Sequence, residues 1–300
     1  MDDSFRAGLV AIVGRPNVGK STLLNRILGQ KLSITSDRPQ TTRHRLLGIH
    51  TTATHQAVYV DTPGLHRKAK RAVNRYMNRA AVGALEGVDA VLFVVEAPRW
   101  EDEDDLVLER LATVPQPLIV VVNKVDRVKD KAQLLPYLQE LAERVPQARH
   151  IIPLSAQSGR NVEVLLEEVE ALLPVQPPIY PEDQLTDRSE RFFASEIIRE
   201  KLMRQLGQEL PYAVTVDVEA FREEKGTLFI RAVVVVERDS QKAIVIGKGG
   251  ERLKKVGRQA REDMERLFGQ KIYLELWVKV REHWADDERA LRQLGYTDEG

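Results

Sequence analysis

Gly14-Arg15-Pro16-Asn17-Val18-Gly19-Lys20-Ser21 fits G-x-x-x-x-G-K-[ST], the phosphate-binding loop. An apolar run, Leu9-Val10-Ala11-Ile12-Val13, leads into it, and a periodic segment, Thr22-Leu23-Leu24-Asn25-Arg26-Ile27-Leu28, leads out. That is the strand–loop–helix setting the motif needs. Gly14 and Gly19 let the backbone turn with its N–H groups inward, so that the loop and the helix start form an anion nest. The expected phosphate contacts run from Gly14 through Asn17, Val18, Gly19, Lys20 and Ser21 to Thr22. Lys20 is expected at the β- and γ-phosphates and the Ser21 hydroxyl on Mg²⁺.

Three downstream motifs specify the nucleotide. Asp61-Thr62-Pro63-Gly64 follows the strand-like Ala57-Val58-Tyr59-Val60. A carboxylate there can hold Mg²⁺ through water, and the Gly64 N–H can sense a γ-phosphate. Asn123-Lys124-Val125-Asp126 follows the buried-strand run Leu118 to Val122. The Asp126 carboxylate can accept both N1–H and the 2-amino group of guanine. Adenine offers neither donor and would leave a desolvated charge unpaired. Ser155-Ala156 follows Ile151-Ile152-Pro153-Leu154, where a backbone N–H can meet guanine O6. In this order the four elements resemble the translation-factor class of P-loop GTPases.

Composition excludes several classes. The 300 residues suit two domains, with 43% hydrophobic residues for ordinary cores. Lys+Arg equals Asp+Glu at 45 each, so net charge carries no nucleic-acid signal. There is no cysteine, hence no disulfide frame, thiolate metal site or thiol nucleophile. The acidic start, Met1-Asp2-Asp3-Ser4-Phe5-Arg6, has no signal-peptide character, and no apolar run nears the ~18 residues of a membrane span. The expected location is the cytoplasm, with peripheral association on the inner face of the cell membrane as the alternative.

Apolar runs near 9–14, 45–52, 56–61, 90–95, 118–123 and 150–154 alternate with helical periodicity. They predict an α/β fold, a doubly wound, mostly parallel sheet with ligand loops at strand C-termini. Its last helix runs from Asn161, read as the N-cap, to Leu173. Pro174, Pro177, Pro178 and Pro181 then break the pattern. The expected division is 1–176 as the first domain, 177–184 as an extended linker and 185–300 as the second.

The second domain reads as helix, strand, strand, helix, G-x-x-G, helix, strand. An amphipathic helix covers 191–202. Strands cover 213–221 and 227–237, with Lys225-Gly226 turning between them. Ile246-Gly247-Lys248-Gly249-Gly250 then opens a long charged helix to about 268, and a strand at 271–280 closes the unit. This order resembles an α+β KH domain of the bacterial topology. Its glycines admit nucleotide backbone, and an apolar groove beside them takes about four unpaired bases. Residues 242–261 hold seven basic side chains and one acid, Glu251, a net +6 within a neutral chain. That is an electrostatic footprint for a polyanion. Ile246, Gly247, Lys248, Gly249, Gly250, Arg252, Lys254 and Lys255 are the expected RNA contacts.

The two domains together resemble one family over nearly the whole chain, the Era GTPases. Gln40-Thr41-Thr42-Arg43-His44-Arg45, Ala194-Ser195-Glu196-Ile197-Ile198-Arg199-Glu200-Lys201-Leu202 and Trp284-Ala285-Asp286-Asp287-Glu288-Arg289 match its characteristic segments. The resemblance implies GTP hydrolysis to GDP and phosphate, with Lys20, Thr42 and Gly64 at the reaction and Ser21, Thr42 and Asp61 around Mg²⁺. Its partners would be the 3′ end of 16S rRNA and the 30S subunit in assembly, with the chain a monomer. The choice of Thr42 over Thr41 rests on that resemblance. Leu65 stands where other GTPases often carry a water-orienting glutamine, so unaided hydrolysis is expected to be slow. Asn17 resembles the asparagine by which some of these bind K⁺. Two competing readings are a membrane-peripheral signalling switch, whose basic cluster meets anionic lipid, and a protein that holds GTP without turnover. The six histidines lack metal-ligand spacing. Glu101-Asp102-Glu103-Asp104-Asp105 reads as a helix start, and Trp100, Trp277 and Trp284 as core anchors.

Overall fold

The computed structural model describes residues 4–36, 38, 40–64, 71–207 and 210–296. Leu65, and with it the missing-glutamine argument, lies outside the described residues. The chain divides into two compact units, one of Met1–Ala69 with Asn74–Asp187, the other of Lys70–Val73 with Arg188–Gly300.

The first unit is a six-stranded sheet. Its strands are β1 (Arg6–Val13), β2 (Leu46–Thr51), β3 (His55–Asp61), β4 (Ala90–Glu96), β5 (Leu118–Asn123) and β6 (Ala148–Pro153). They lie in the order β2-β3-β1-β4-β5-β6. Only β2 is antiparallel to its neighbour; every other pair is parallel. The helices are α1 (Lys20–Leu28), α2 (Ala72–Gly83), α3 (Asp102–Leu111), α4 (Leu134–Arg144) and α5 (Val162–Leu172). In β4 and β5 residues pointing to either face are buried, which is why their sequences run apolar without alternation. Ala11, Val13, Phe93, Val95, Val120 and Val122 form one face of the core with Val107 and Leu111 of α3 and Tyr137 and Leu141 of α4. After β1 the chain builds β2 and β3 on one side of it and then crosses to β4 on the other. The loop after β1 therefore opens at the switch point, where α/β sheets bind ligands.

Two local expectations change. Asn161 does occupy the N-cap of α5, but at φ 59° and with no side-chain capping bond. Its amide instead donates to Pro153 O at 2.7 Å. The proline-rich stretch does not run free either. Gln176 N donates to Phe5 O (3.0 Å), and Ile49 N donates to Leu185 O (2.8 Å). The fully buried Gln56 amide accepts from Ile179 N and Tyr180 N and donates to Tyr180 O. The prolines forbid a helix, and the open edge of the sheet offers backbone partners instead. The first unit accordingly extends to Asp187.

The second unit contains α6 (Glu190–Gln205), β7 (Thr215–Glu224), β8 (Thr227–Val236), α7 (Asp239–Ile246), α8 (Glu251–Phe268), β9 (Lys271–Val280) and α9 (Glu288–Gln293). β8 is central, antiparallel to β7 and parallel to β9. Lys225 (φ 50°) and Gly226 (φ 73°) make the two-residue hairpin turn, whose twist requires positive φ at both positions. Ile198 and Leu202 of α6, Val256, Ala260 and Met264 of α8, and Ile230, Ala232 and Val234 of β8 close the core. α6 is not amphipathic in the expected sense. Glu196, Arg199, Glu200 and Lys201 are all buried and compensated in place. Arg199 donates twice to Glu196, at 2.8 and 2.6 Å, while Lys201 pairs with Asp263 and Arg204 with Glu200. Trp284 is a buried anchor whose Nε1 donates to Ala213 O at 3.2 Å. Trp277 is not: it lies 60% exposed on β9, because alternation along the strand turns it away from the core.

Candidate functional site

The four nucleotide motifs meet at the C-terminal ends of β1, β3, β5 and β6. Gly14 has φ 154° and Gly19 φ 103°, and a side chain on either would strike Val94 O or the Asn123 amide. Lys20 begins α1 and is buried, with Nζ donating to Gly14 O (2.8 Å) and Arg15 O (3.0 Å). Burial brings its pKa down to about 8, against the opposing pull of Asp61.

Asp61, at the end of β3, is fully buried. Burial pushes its carboxyl upward, while Lys20, the Ser33 and Ser21 hydroxyls and the Thr62 N–H hold it down. Its Oδ2 accepts from Ser21 Oγ and Ser33 Oγ, both at 2.8 Å. Ser21 Oγ also lies 2.8 Å from Thr42 Oγ1. Thr41, the other candidate, has its hydroxyl on Arg38 O instead, at 2.6 Å. Among the described residues nothing hydrogen-bonds Asp61 Oδ1, which is buried. One orphaned anionic oxygen beside two hydroxyls is a hard donor set of the kind Mg²⁺ takes. Among the described residues no cluster of three His, Cys, Asp or Glu could hold a metal. Any ion here would therefore rely on these mixed ligands. Gly64 passes so close to the loop that a Cβ would lie 2.7 Å from Pro16 N and 2.8 Å from the ring.

Asn123 ties the base side together. Its Nδ2 donates to Val18 O (2.8 Å), and its Oδ1 accepts from Lys124 N (2.7 Å) and Ala156 N (3.0 Å). Lys124, at φ 65°, sends Nζ to Asn17 O (2.6 Å) and Glu96 Oε2 (2.7 Å). Asp126 is exposed, its carboxylate open to a ligand. Ser155 and Ala156 are buried, with Ser155 N donating to Arg160 O at 3.0 Å. A base carbonyl here would share the Ala156 donor with Asn123. Thr22 and Ala156 both line a cleft with Arg26 and Gln157.

Sequence reading missed three residues that this geometry brings in. Arg15, within the phosphate loop, is buried and donates from Nε to Asp104 Oδ2 at 3.1 Å. Glu96 ends β4 beside both loops. Asp104 does belong to a helix start, with Glu101 as N-cap and a reciprocal capping box, but it is wholly buried against Arg15. A buried position inside an acidic run has no local sequence signal.

In the second unit α7 ends at Gly247 (φ 73°), and Gly249 (φ 59°) and Gly250 (φ 78°) follow in the left-handed region. A Cβ on Gly247 would meet Arg252 Cβ at 2.8 Å, whereas Gly249 and Gly250 face open space. Gly250 caps α8 without a side chain, which leaves the helix N-terminus clear. Lys248, Lys254, Lys255 and Arg258 are exposed, and Ile246 is half-buried beside them. Two of the basic residues are engaged internally: Arg252 donates to Ile244 O, and Arg261 pairs with Glu265 at 2.8 Å.

Comparison with known proteins fits this division. The family described as 50S ribosome-binding GTPase matches residues 9–124, and the KH domain family matches 209–285. GTPase Era of Pseudomonas fluorescens (strain Pf0-1) is 58% identical over 296 residues, 99% of this chain and 98% of that protein. GTPase Era of Ectopseudomonas mendocina (strain ymp) is 59% identical over 293 residues, 98% of each. Two solved structures superpose with a TM-score of 0.94 at 37% identity, each over 98% of this chain. One is a variant of Aquifex aeolicus Era bound to GDP·AlF4⁻, matched over 100% of its length. The other is Era in complex with MgGDPNP and nucleotides 1506–1542 of 16S ribosomal RNA, matched over 99%. With identity near three-fifths sustained across both units, the chain belongs to the Era family and is a GTPase.

Proposed function

We propose that this GTPase couples its nucleotide state to holding the 3′ end of 16S rRNA, and acts as a cytoplasmic monomer in assembly of the 30S subunit. The observation that carries the reading is a relative, alike over 98% of the chain, seen with MgGDPNP and a 16S rRNA fragment together. Lys20 sets its ammonium against the β- and γ-phosphates, and the Gly64 N–H meets the γ-phosphate. Ser21, Thr42 and Asp61 would hold Mg²⁺, which when bound would neutralise charge on the phosphate oxygens. Asn123 keeps the base and phosphate loops in register, and Asp126 reads guanine through N1–H and the 2-amino group. Ser155 and Ala156 complete the base pocket. In the second unit Gly247, Lys248, Gly249 and Gly250 admit the RNA backbone to the start of α8. Arg252 shapes that turn, Ile246 borders the bases, and Lys254 and Lys255 supply the field.

Fluorescence anisotropy tests the RNA reading with two probes, single-stranded 16S 3′-end RNA and anionic phosphatidylserine vesicles. The expected result is salt-sensitive RNA binding with little vesicle binding. Preference for vesicles would replace this reading with the membrane one; no helix among the described residues is long and apolar enough to cross a bilayer. Asn17 is the proposed K⁺ ligand. Turnover is expected to be faster in KCl than in NaCl at equal ionic strength, a difference that Asn17→Ala abolishes. Equal rates in the two salts would leave Asn17 a loop-shaping residue.

A further inference from the structure

Glu96 lies where the phosphate loop and the base loop come nearest. It is the last residue of β4, in register with Asn123 of β5. Its Oε2 accepts from Lys124 Nζ at 2.7 Å, and the same oxygen stands 3.6 Å from Arg15 Nη2. Each cation is itself fastened to the phosphate loop. Lys124 Nζ donates to Asn17 O at 2.6 Å, and Arg15 O accepts from Lys20 Nζ at 3.0 Å. The side chains are largely withdrawn from water, at 9% exposure for Arg15, 17% for Lys124 and 21% for Glu96. Arg15 Nη2 is buried and makes no hydrogen bond among the described residues. Its charge is balanced across space by Glu96 and by Glu101, 3.4 Å away, while Nε bonds Asp104. Removing Glu96 would leave two cations under-compensated in a low-dielectric site, one on each loop.

We propose that Glu96 is a positioning residue that makes the two loops one binding unit, so that base recognition strengthens the hold on the phosphates. This rests on the reading of Asn123 to Asp126 as the guanine loop. Glu96 touches no ligand in this scheme; it acts through Lys124 and Arg15. A residue that merely stabilised the fold would weaken every nucleotide by the same factor. A residue that couples the loops changes how much the base is worth.

The test is a cycle over protein and ligand, measuring affinities of the full chain for GDP and for inosine diphosphate, which lacks the 2-amino group. Glu96→Gln is expected to weaken GDP about tenfold, a charge-assisted hydrogen bond being at stake. It should weaken inosine diphosphate less, so that the preference for GDP shrinks at least about threefold. Glu96→Asp, which restores the charge on a shorter stem, should recover part of that preference. Glu101→Gln removes a charge beside Arg15 without touching Lys124, and should leave the preference intact. An equal loss for both nucleotides with Glu96→Gln, or no loss, overturns the proposal. So does a Glu101→Gln effect as large as that of Glu96→Gln. Asp126→Asn separates the two readings. If it gains xanthosine diphosphate while Glu96→Gln leaves the GDP preference unchanged, only the coupling fails. If it gains none, the guanine loop reading fails and the coupling with it.

Discussion

Asp104 illustrates what a single buried charge does here. It accepts from Glu101 N at 3.0 Å to close the capping box, and from Arg15 Nε at 3.1 Å to anchor the phosphate loop. Burial brings its carboxyl pKa up to about 6, although the Glu101 N–H and the Arg15 guanidinium pull the other way. In the unfolded chain the same carboxyl titrates near about 4. Between those values the folded state binds more protons, so this group's contribution to stability rises as pH falls from about 6 to about 4. A shift of about two units corresponds to about 2–3 kcal/mol. Asp104→Asn removes the group. The stability of the wild-type chain relative to this variant is expected to rise by about 2 kcal/mol from about pH 7 to about pH 4. Urea unfolding of both nucleotide-free chains measures it, and pH-independent separation of the two curves would contradict the assignment. At this scale the sequence was legible where chemistry fixes spacing. Lys20 and Ser21 stand together where the phosphate loop enters α1, Asp61 and Asn123 each close a strand, and Asp126 lies in the turn just after β5. Arg15, Glu96 and Asp104 were not, because side chains that pair across dozens of residues leave no local pattern.

The strands were legible to within a few residues because burial on both faces makes continuous apolar runs, as in β4 and β5. Elements misread were those whose character depends on a partner. α6 carries four buried charges that only Asp263 and its own neighbours make acceptable. The segment after α5 reads as linker until Gln56 and the β2 edge appear beside it. Trp277 looked like a core anchor, though alternation along β9 contains the answer. The turn between α7 and α8 permits a clean test. Lys248 is exposed, and Gly249 sits at φ 59° with nothing within 4 Å, a conformation aspartate tolerates. Replacing both by aspartate sets two carboxylates in the proposed phosphate path. RNA affinity is expected to fall by at least about a hundredfold, as salt-sensitive contacts become repulsive. GDP affinity should not change. RNA binding that survives the double variant would remove the turn from the interface.

Across the whole molecule a chain of zero net charge gathers +6 in twenty residues of one unit, and places a phosphate nest and its oxygen ligands in the other. The central claim is that these two units are thermodynamically coupled. Thr42 approaches Ser21 in this structure, and a γ-phosphate with its cation would hold that segment until hydrolysis releases it. If the segment's order favours the RNA-bound state, GTP and RNA each strengthen the other by the same factor, as linkage requires. The direct measurement is anisotropy of a labelled single-stranded 16S 3′-end RNA against the full chain, once with a non-hydrolysable GTP analogue and once with GDP. The account predicts tighter binding with the analogue, by about 1–3 kcal/mol, and an equal gain in analogue affinity when RNA is present. Identical RNA affinities in the two nucleotide states would contradict it, leaving a GTPase and an RNA reader that share a chain and nothing more.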